Sequence, residues 1–296
     1  MEGHSEFTPL ESQLAARIRA RLGELRGSEA RVAQVVLDRG TGLVHLSVSD
    51  VATLAGTAPS SVVRACQRLG FRGYQELKIA AALHAPSPAG APGATGEAGT
   101  TGDADDPAAR ALADTLRAAR AALDGLTATL GAGDLRAAAG LLDGASRVVL
   151  VGAGLSGAVV LDLAYRLRAL GLLVDAPADP ITAQLAAAAL APGDVCLAVS
   201  HTGSTRSVVD AARRAREAGA EVLALTSYAR SPLTETATRA LVAGGQDLVF
   251  GLETTASRLA HLAAVDALAQ TLLALRGPGA ERALRLSADV TADYAY

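Results

Sequence analysis

Twenty-three consecutive residues, 85 to 107, read APSPAGAPGATGEAGTTGDADDP, and none of them can anchor a hydrophobic core. Whatever this chain folds into is built on either side of that stretch, which has the composition of a flexible linker. It leaves 84 residues before it and 189 after it. Two domains are therefore expected, at 1–84 and 108–276, with residues 277–296 as an unassigned C-terminal tail. Charge divides at the same place. The first 84 residues hold ten Lys or Arg against eight Asp or Glu, or +2, whereas everything after them totals −5. The asymmetry points to the first part as the one that meets a polyanion.

Several function classes drop out on composition. Half of the residues are hydrophobic, yet only 3% are aromatic and none is Trp, so the cores must be close-packed Ala, Leu and Val. Aromatic platforms for single-stranded nucleic acid are not expected. A net charge of −3 excludes a uniformly basic protein but permits a local basic face. Cys66 and Cys196 lie 130 positions apart with no C-x-x-C, which indicates neither a disulfide framework nor a zinc motif and fits a reducing cytoplasm. The N-terminus lacks the basic start and apolar stretch of a secretion signal. No uninterrupted apolar run approaches the ~18 residues of a membrane span. No metal, cofactor or membrane partner is expected.

The first part reads as helices throughout. Leu10, Leu14, Ile18 and Leu22 follow one stripe, and Ser28 is placed to cap a helix carrying Val32, Val35, Val36 and Leu37. Ser49 is placed to cap a short helix, 50–55, that stops at Gly56. The step Gly56-Thr57-Ala58 leads to Pro59, suited to the first turn of a helix running to Leu69 and ending at Gly70. Two short helices joined by a Gly-containing turn make a helix-turn-helix. On the second helix Ser60, Ser61, Arg64, Gln67 and Arg68 share one face, and Val62, Val63, Cys66 and Leu69 the other. Arg can reach the two acceptors of guanine, Gln the edge of adenine, and Ser near a helix start a phosphate. Thr57, Lys78 and Arg72 add backbone contacts. The alternative is an ordinary solvated face with two arginines.

Beyond the linker the pattern changes. Short apolar runs at 147–151, 172–175, 195–199, 222–225 and 240–242 alternate with helical stretches, several closed by a glycine such as Gly171 or Gly219. Strands buried on both faces with crossover helices imply an open parallel sheet. Residues 108–144 read as helices before the sheet and 254–275 as a long helix after it.

Two loops carry the chemistry. The first strand ends in Gly152-Ala153-Gly154-Leu155-Ser156-Gly157, formally G-x-G-x-x-G, with Asp175 eighteen residues on, placed for the ribose hydroxyl of a dinucleotide. A glycine turn into a helix equally suits any phosphate. The third strand ends in Ser200-His201-Thr202-Gly203-Ser204-Thr205, with four hydroxyls in six residues. A helix cap accounts for one of them. Hydroxyls with amide N–H groups at a helix start can wrap a phosphate monoester without any lysine, and a dinucleotide fold does not need such a loop here.

Residues 47–78, SVSDVATLAGTAPSSVVRACQRLGFRGYQELK, resemble the N-terminal domain of RpiR-type bacterial transcription regulators, most specifically in the terminal LGFxGYxELK. The resemblance implies that Phe71 and Tyr74 pack a following helix onto the recognition helix. Both glycine and hydroxyl loops resemble the SIS (sugar isomerase) domain that follows in such regulators, G-x-G-x-S-G in the first and S-x-[ST]-G-x-T in the second. Residues 212–227, 231–233 and 257–268 resemble its next helix, strand, turn and final helix. This implies an all-α helix-turn-helix domain followed by an α/β SIS domain, a parallel-sheet α-β-α sandwich. Carried over by position, Ser156, Ser200, Thr202 and Thr205 hold the phosphate, with Gly154 and His201 beside them. Ser204 stands where SIS loops often have Glu, which removes a carboxylate near the sugar.

An isomerase would need a general base, for which His201 and Glu253 are the candidates. His4, His45, His84 and His261 show no spacing with acids that suggests metal or triad chemistry. The expectation is therefore a regulator, not an enzyme, that binds double-stranded operator DNA as a homodimer or tetramer. Its affinity should fall steeply with salt and respond to a phosphorylated sugar. The rivals are a phosphosugar isomerase or NAD-linked enzyme with a helical appendix, and a SIS module that serves only protein interaction.

Overall fold

The computed structural model describes residues 13–83, 106–244 and 255–293. Most of the expected linker, together with His4, Leu10, His84 and Glu253, lies outside the described residues. The rest forms two compact units that divide within one helix, between Ala118 and Ala119.

The first unit is all helical: α1 (Gln13–Arg21), α2 (Ser28–Arg39), α3 (Val48–Leu54), α4 (Pro59–Arg68) and α5 (Tyr74–Leu83), with short 3-10 turns after α1 and α2. Ile18, Val32, Val36, Val51, Val62, Cys66, Leu69 and Leu77 meet in one core. Two expected caps differ from what is observed. Ser28 is the first residue of α2 and Gly27 its cap. For α3 the cap is Ser47 rather than Ser49, because Asp50 lies three residues after Ser47 and completes a reciprocal box. The Asp50 N–H donates to Ser47 Oγ at 3.1 Å, and the Ser47 N–H to the Asp50 carboxylate at 2.8 Å. The helix therefore starts two residues earlier, and Ser49 is buried inside it.

The turn after α3 is closed by Gly56, whose φ of +59° only glycine adopts without strain. It lets the Thr57 N–H reach Ala52 O at 2.8 Å and its own N–H reach Thr53 O at 3.1 Å. The same pair of bonds ends α4, from Phe71 to Cys66 and from Gly70 to Gln67. Side chains from α1 and α2 complete both ends. Arg31 donates to Ala55 O at 2.8 Å, Arg17 to Gly70 O at 2.9 Å and Arg21 to Arg68 O at 3.2 Å. Cations on helix-end carbonyls answer the negative end of the helix dipole. Phe71 and Tyr74 are buried, the former under the Arg17 guanidinium, 4.5 Å from the ring centre, and the latter with its hydroxyl donated to Leu46 O at 2.9 Å.

The second unit continues through α6 (Pro107–Thr129) and α7 (Ala132–Asp143) into five parallel strands alternating with helices. They run β1 (Val148–Gly152), α8 (Ser156–Ala169), β2 (Val174–Asp175), α9 (Pro180–Ala188), β3 (Val195–Val199), α10 (Arg206–Glu217), β4 (Glu221–Thr226), α11 (Pro232–Thr236) and β5 (Arg239–Val242), before α12 (Thr255–Arg276) and α13 (Pro278–Ala292). Strand order is β2-β1-β3-β4-β5. Side chains alternate between two covering layers. Val148 and Leu150 pack with α7, α8 and α12, while Val149 and Val151 pack with α9 and α10. The result is an α-β-α sandwich.

Residues 277–296 carried no reading in the sequence. Most of them form α13, which packs on α8 and α12 through the buried Ala280. Helix α12 is the one described helix long and apolar enough to cross a membrane, but Ala260, Ala264, Val265, Leu268 and Leu272 seat it in the core. Cys66 and Cys196 are both buried, and burial pushes each thiol up to about 12, far from the reactive thiolate form.

Candidate functional site

Two surfaces bear chemistry, one in each unit. In the first, α4 is ten residues long with Pro59 at its start, and its inward residues are Ser61, Val62, Ala65 and Cys66. The exposed stripe is Ser60, Val63, Arg64, Gln67 and Arg68. This corrects two expected placements. Ser61, at 6% exposure, lies inside, where its hydroxyl accepts from the Arg64 guanidinium at 2.9 Å. Val63 faces outward at 36% exposure. Both follow from the helical angle: a residue three before Arg64 and four before Ala65 sits at the edge of the buried stripe, and the short serine side chain falls on its inner side. Thr57 and Lys78 are half-buried. Arg68 is paired with Glu29 of α2 at 3.3 Å, and Arg72 with Glu76 at 3.4 Å.

In the second unit, register brings the two loops together. Gly152 at the end of β1 pairs with Val199 at the end of β3, so the turns that follow leave neighbouring strands at one edge of the sheet. α8 and α10 then depart to opposite faces. The strand order reverses direction here, and in open parallel sheets the crevice at such a point, outside the carboxyl ends, is where ligands bind. Order 2-1-3-4-5 differs from the 3-2-1-4-5-6 of the dinucleotide fold. The G-x-G-x-x-G turn therefore sits in a sheet without that order, and Asp175 is an exposed residue at the end of the edge strand.

The hydroxyl loop is internally ordered. Ser200, 1% exposed, holds its Oγ 3.0 Å from Thr205 Oγ1. Thr205 is the first cap of α10, yet its side chain makes no capping bond. Its hydroxyl is turned to Ser200 instead, which is what separates this loop from an ordinary helix start. Thr202 Oγ1 accepts from the Ser204 N–H at 3.3 Å. The N–H groups opening α10, at Arg206 and Ser207, have no carbonyl a turn earlier in the helix to receive them. Around β1, by contrast, the Ser156 and Gly157 N–H groups are bonded to Ala153 and Gly154. Main-chain donors without a turn partner are therefore found at the second loop rather than the first, where Ser156 itself is buried.

His201 does not extend into solvent. It is 6% exposed and its Nδ1 lies 2.8 Å from Ser227 Oγ, at the end of β4. His261 of α12 reaches the same hydroxyl, Nε2 to Oγ at 3.0 Å. The sequence reading missed both Ser227 and His261, because their partners are 26 and 34 residues away along the chain. The one available signal was the Thr226-Ser227 pair closing the strand next to β3. Arg206, exposed and 3.5 Å from Asp210, is a further cation at the crevice helix that was not singled out. No group of three or more metal-ligating side chains occurs among the described residues.

Comparison with known proteins places both units. Residues 12–85 match the family described as helix-turn-helix domain, rpiR family, and residues 141–271 match the SIS domain family. The helix-turn-helix-type transcriptional regulator HexR of Pseudomonas aeruginosa is 32% identical over 268 residues, 89% of this chain and 90% of HexR. A transcriptional regulator of the same type from Caldanaerobacter subterraneus is 30% identical over 257 residues, 87% of this chain and 89% of its own length. Among solved structures, the NanR protein of Vibrio vulnificus, complexed with ManNAc-6P, superposes with a TM-score of 0.79 at 24% identity, covering 96% of this chain and 100% of that one.

Proposed function

The chain belongs to the RpiR family of helix-turn-helix transcription regulators carrying a SIS domain, and on that premise we propose that its second unit senses a phosphorylated sugar and thereby alters the affinity of the first for operator DNA. The observation that supports this reading is the Gly152–Val199 register, by which the turns leading to Ser156 and through Ser200–Thr205 leave the same ends of neighbouring strands. Gly154, Ser156, Ser200, His201, Thr202 and Thr205 form the effector site. Hydroxyls and helix-start N–H groups grip the phosphate, and His201 meets the sugar side. The solved relative NanR is complexed with a phosphorylated sugar derivative, ManNAc-6P, which supports that ligand class.

On the DNA side, Arg64 and Gln67 read base edges and Ser60 and Thr57 meet phosphate. Ser61 acts through Arg64, while Arg68 and Lys78 flank the contact. Helix-turn-helix proteins read paired half-sites about one turn, or ~34 Å, apart, so the working form is a homodimer or tetramer. Ligand must then favour one arrangement of the paired readers, a coupling of typically ~1–3 kcal/mol.

The deciding experiment is the double substitution Ser200→Ala with Thr202→Ala, followed by thermal unfolding against a panel of phosphorylated sugars and by operator titration. In the unsubstituted protein a ligand at 100 times its Kd adds about 2.7 kcal/mol of stability. In the double variant that stabilisation and the ligand response of operator binding should both vanish, with binding in the absence of ligand retained. A normal response would show that the phosphate is held elsewhere.

Val63 yields a second expectation. An exposed valine between Ser60 and Gln67 suits the 5-methyl of thymine. Uracil in place of that thymine should weaken binding about fourfold, the worth of ~0.8 kcal/mol for one buried methyl-sized group. In Val63→Ala the same exchange should change little. Fluorescence anisotropy on operator duplexes selected from a random pool would read both.

A further inference from the structure

Helix α6 carries an apolar stripe that its own chain leaves largely open. Leu112, Leu116, Ala119, Leu123, Leu126 and, just past the helix end, Leu130 recur at alternating steps of four and three, the narrow seam of helices that pair with each other. Yet of the 23 residues of α6, Ala122 alone is buried. In proteins a helix owes most of its stability to the packing of such a stripe, and one covered alanine supplies little of it. Leu126 and Leu130 rest half-buried on the core of the second unit. The leucines before them stay open: Leu112, Leu116 and Leu123 are 62%, 46% and 42% exposed.

We propose that this stripe is covered by α6 of a second copy of the chain, lying antiparallel across it. The inference rests on the homodimer reading above and gives that dimer one of its contacts. Orientation follows from which seam positions are taken. A parallel partner would need Leu126 and Leu130, which are already turned to their own core, whereas an antiparallel one centred between Arg117 and Ala118 uses the open part alone. Leu112 then meets Leu123 of the second copy and Leu116 meets its Ala119, each twice by the two-fold symmetry. Charge agrees with this orientation. Arg110 comes level with Asp124 of the second copy at both ends of the contact, where a parallel pair would set like against like. Arg117, nearest the axis, has its charge answered by Asp114 of its own helix at 2.7 Å. From Leu112 to Leu123 the contact is about 17 Å long, less than a stable interface requires by itself, so it fixes how two copies meet more than how tightly. Proximity is therefore the quantity to read.

The test uses the full chain, whose own thiols, Cys66 and Cys196, are buried and held in the unreactive protonated form. Leu112→Cys combined with Leu123→Cys, both at exposed positions, is treated with a short bis-maleimide, and the linked peptides of the covalent dimer are identified by mass spectrometry. Links from position 112 to position 123 are expected. Each single variant should give no covalent dimer, because two copies of either position lie about 17 Å apart along the pair. Adding Leu116→Arg should lower the yield at least about tenfold, since it removes a leucine from the centre of the contact in both copies. Self-linking of a single variant would reveal a parallel seam, and linking that survives Leu116→Arg would reveal chance collision; either overturns the proposal. Sedimentation of the unsubstituted chain separates the underlying reading. A dimer or tetramer without 112–123 links refutes the α6 contact and leaves the homodimer standing, whereas a monomer at every concentration refutes both.

Discussion

Gly203→Ala is expected to remove at least about 3 kcal/mol from the stability of the second unit and to abolish its response to phosphorylated sugars, because two separate costs fall on one methyl group. Gly203 has φ of +61°, a conformation that alanine adopts only under strain. A Cβ built there would also lie 2.1 Å from Ser231 Oγ, 2.5 Å from Ser231 Cβ and 3.2 Å from Thr226 Oγ1. Ser231 cannot step aside cheaply. It caps α11 by accepting from the Thr234 N–H at 3.2 Å, and α11 is anchored to the loop by the Leu233 N–H donating to Gly203 O at 2.9 Å. The clash thus pushes directly on the segment that orders Ser200, Thr202 and Thr205. Urea unfolding of the variant should show the loss in the second unit, with the helical first unit unchanged. A loss below about 1 kcal/mol would mean that the loop relaxes freely and is not the rigid grip described.

The second large effect is expected on operator affinity. Arg64→Ala should remove ~1–3 kcal/mol from each reading helix, the worth of a bidentate contact to guanine, so a dimer on two half-sites loses ~30-fold to 10⁴-fold. Discrimination at that base should relax while the salt dependence of binding stays nearly the same. Arg68→Ala should cost less discrimination, because its guanidinium already lies on Glu29. Ser61→Ala should fall between them, since it leaves Arg64 in place but frees it from the hydroxyl at 2.9 Å. Equal weakening on every sequence, together with a shallower salt slope, would instead place Arg64 on a phosphate.

The central strands β1, β3 and β4 were legible because each is a short run, mostly of Val, Leu and Ala, buried on both faces, whereas β2 shrinks to Val174–Asp175 and β5 opens on the exposed Arg239. The two crevice loops were legible for a related reason: hydroxyls and glycines cluster there beyond what caps and turns need. Helix ends were less so. Ser28 and Ser49 looked like caps by residue type, but capping depends on which neighbour can return the bond, and Asp50 returned it to Ser47. Ser61 and Val63 exchanged sides because a ten-residue helix leaves its stripe edges undecided until its packing partners are known. Ser227 and His261 stayed invisible, since what joins them to His201 is the order of strands in the sheet, a property of no local stretch.

The arginines that close the ends of α3 and α4 have a consequence for how the protein finds its target. Of the ten cations in the first 84 residues, Arg17, Arg21 and Arg31 are drawn onto main-chain oxygens, and Arg68 and Arg72 onto carboxylates. A guanidinium laid on a carbonyl keeps its charge, so Arg17, Arg21 and Arg31 still add to the field that draws in a polyanion, whereas Arg68 and Arg72 are partly offset by the carboxylates beside them, and the slope of affinity against salt measures how many phosphates are met. What approaches a duplex is then a charge pattern set in place by the helix ends, rather than a group of cations each free to seek its own phosphate.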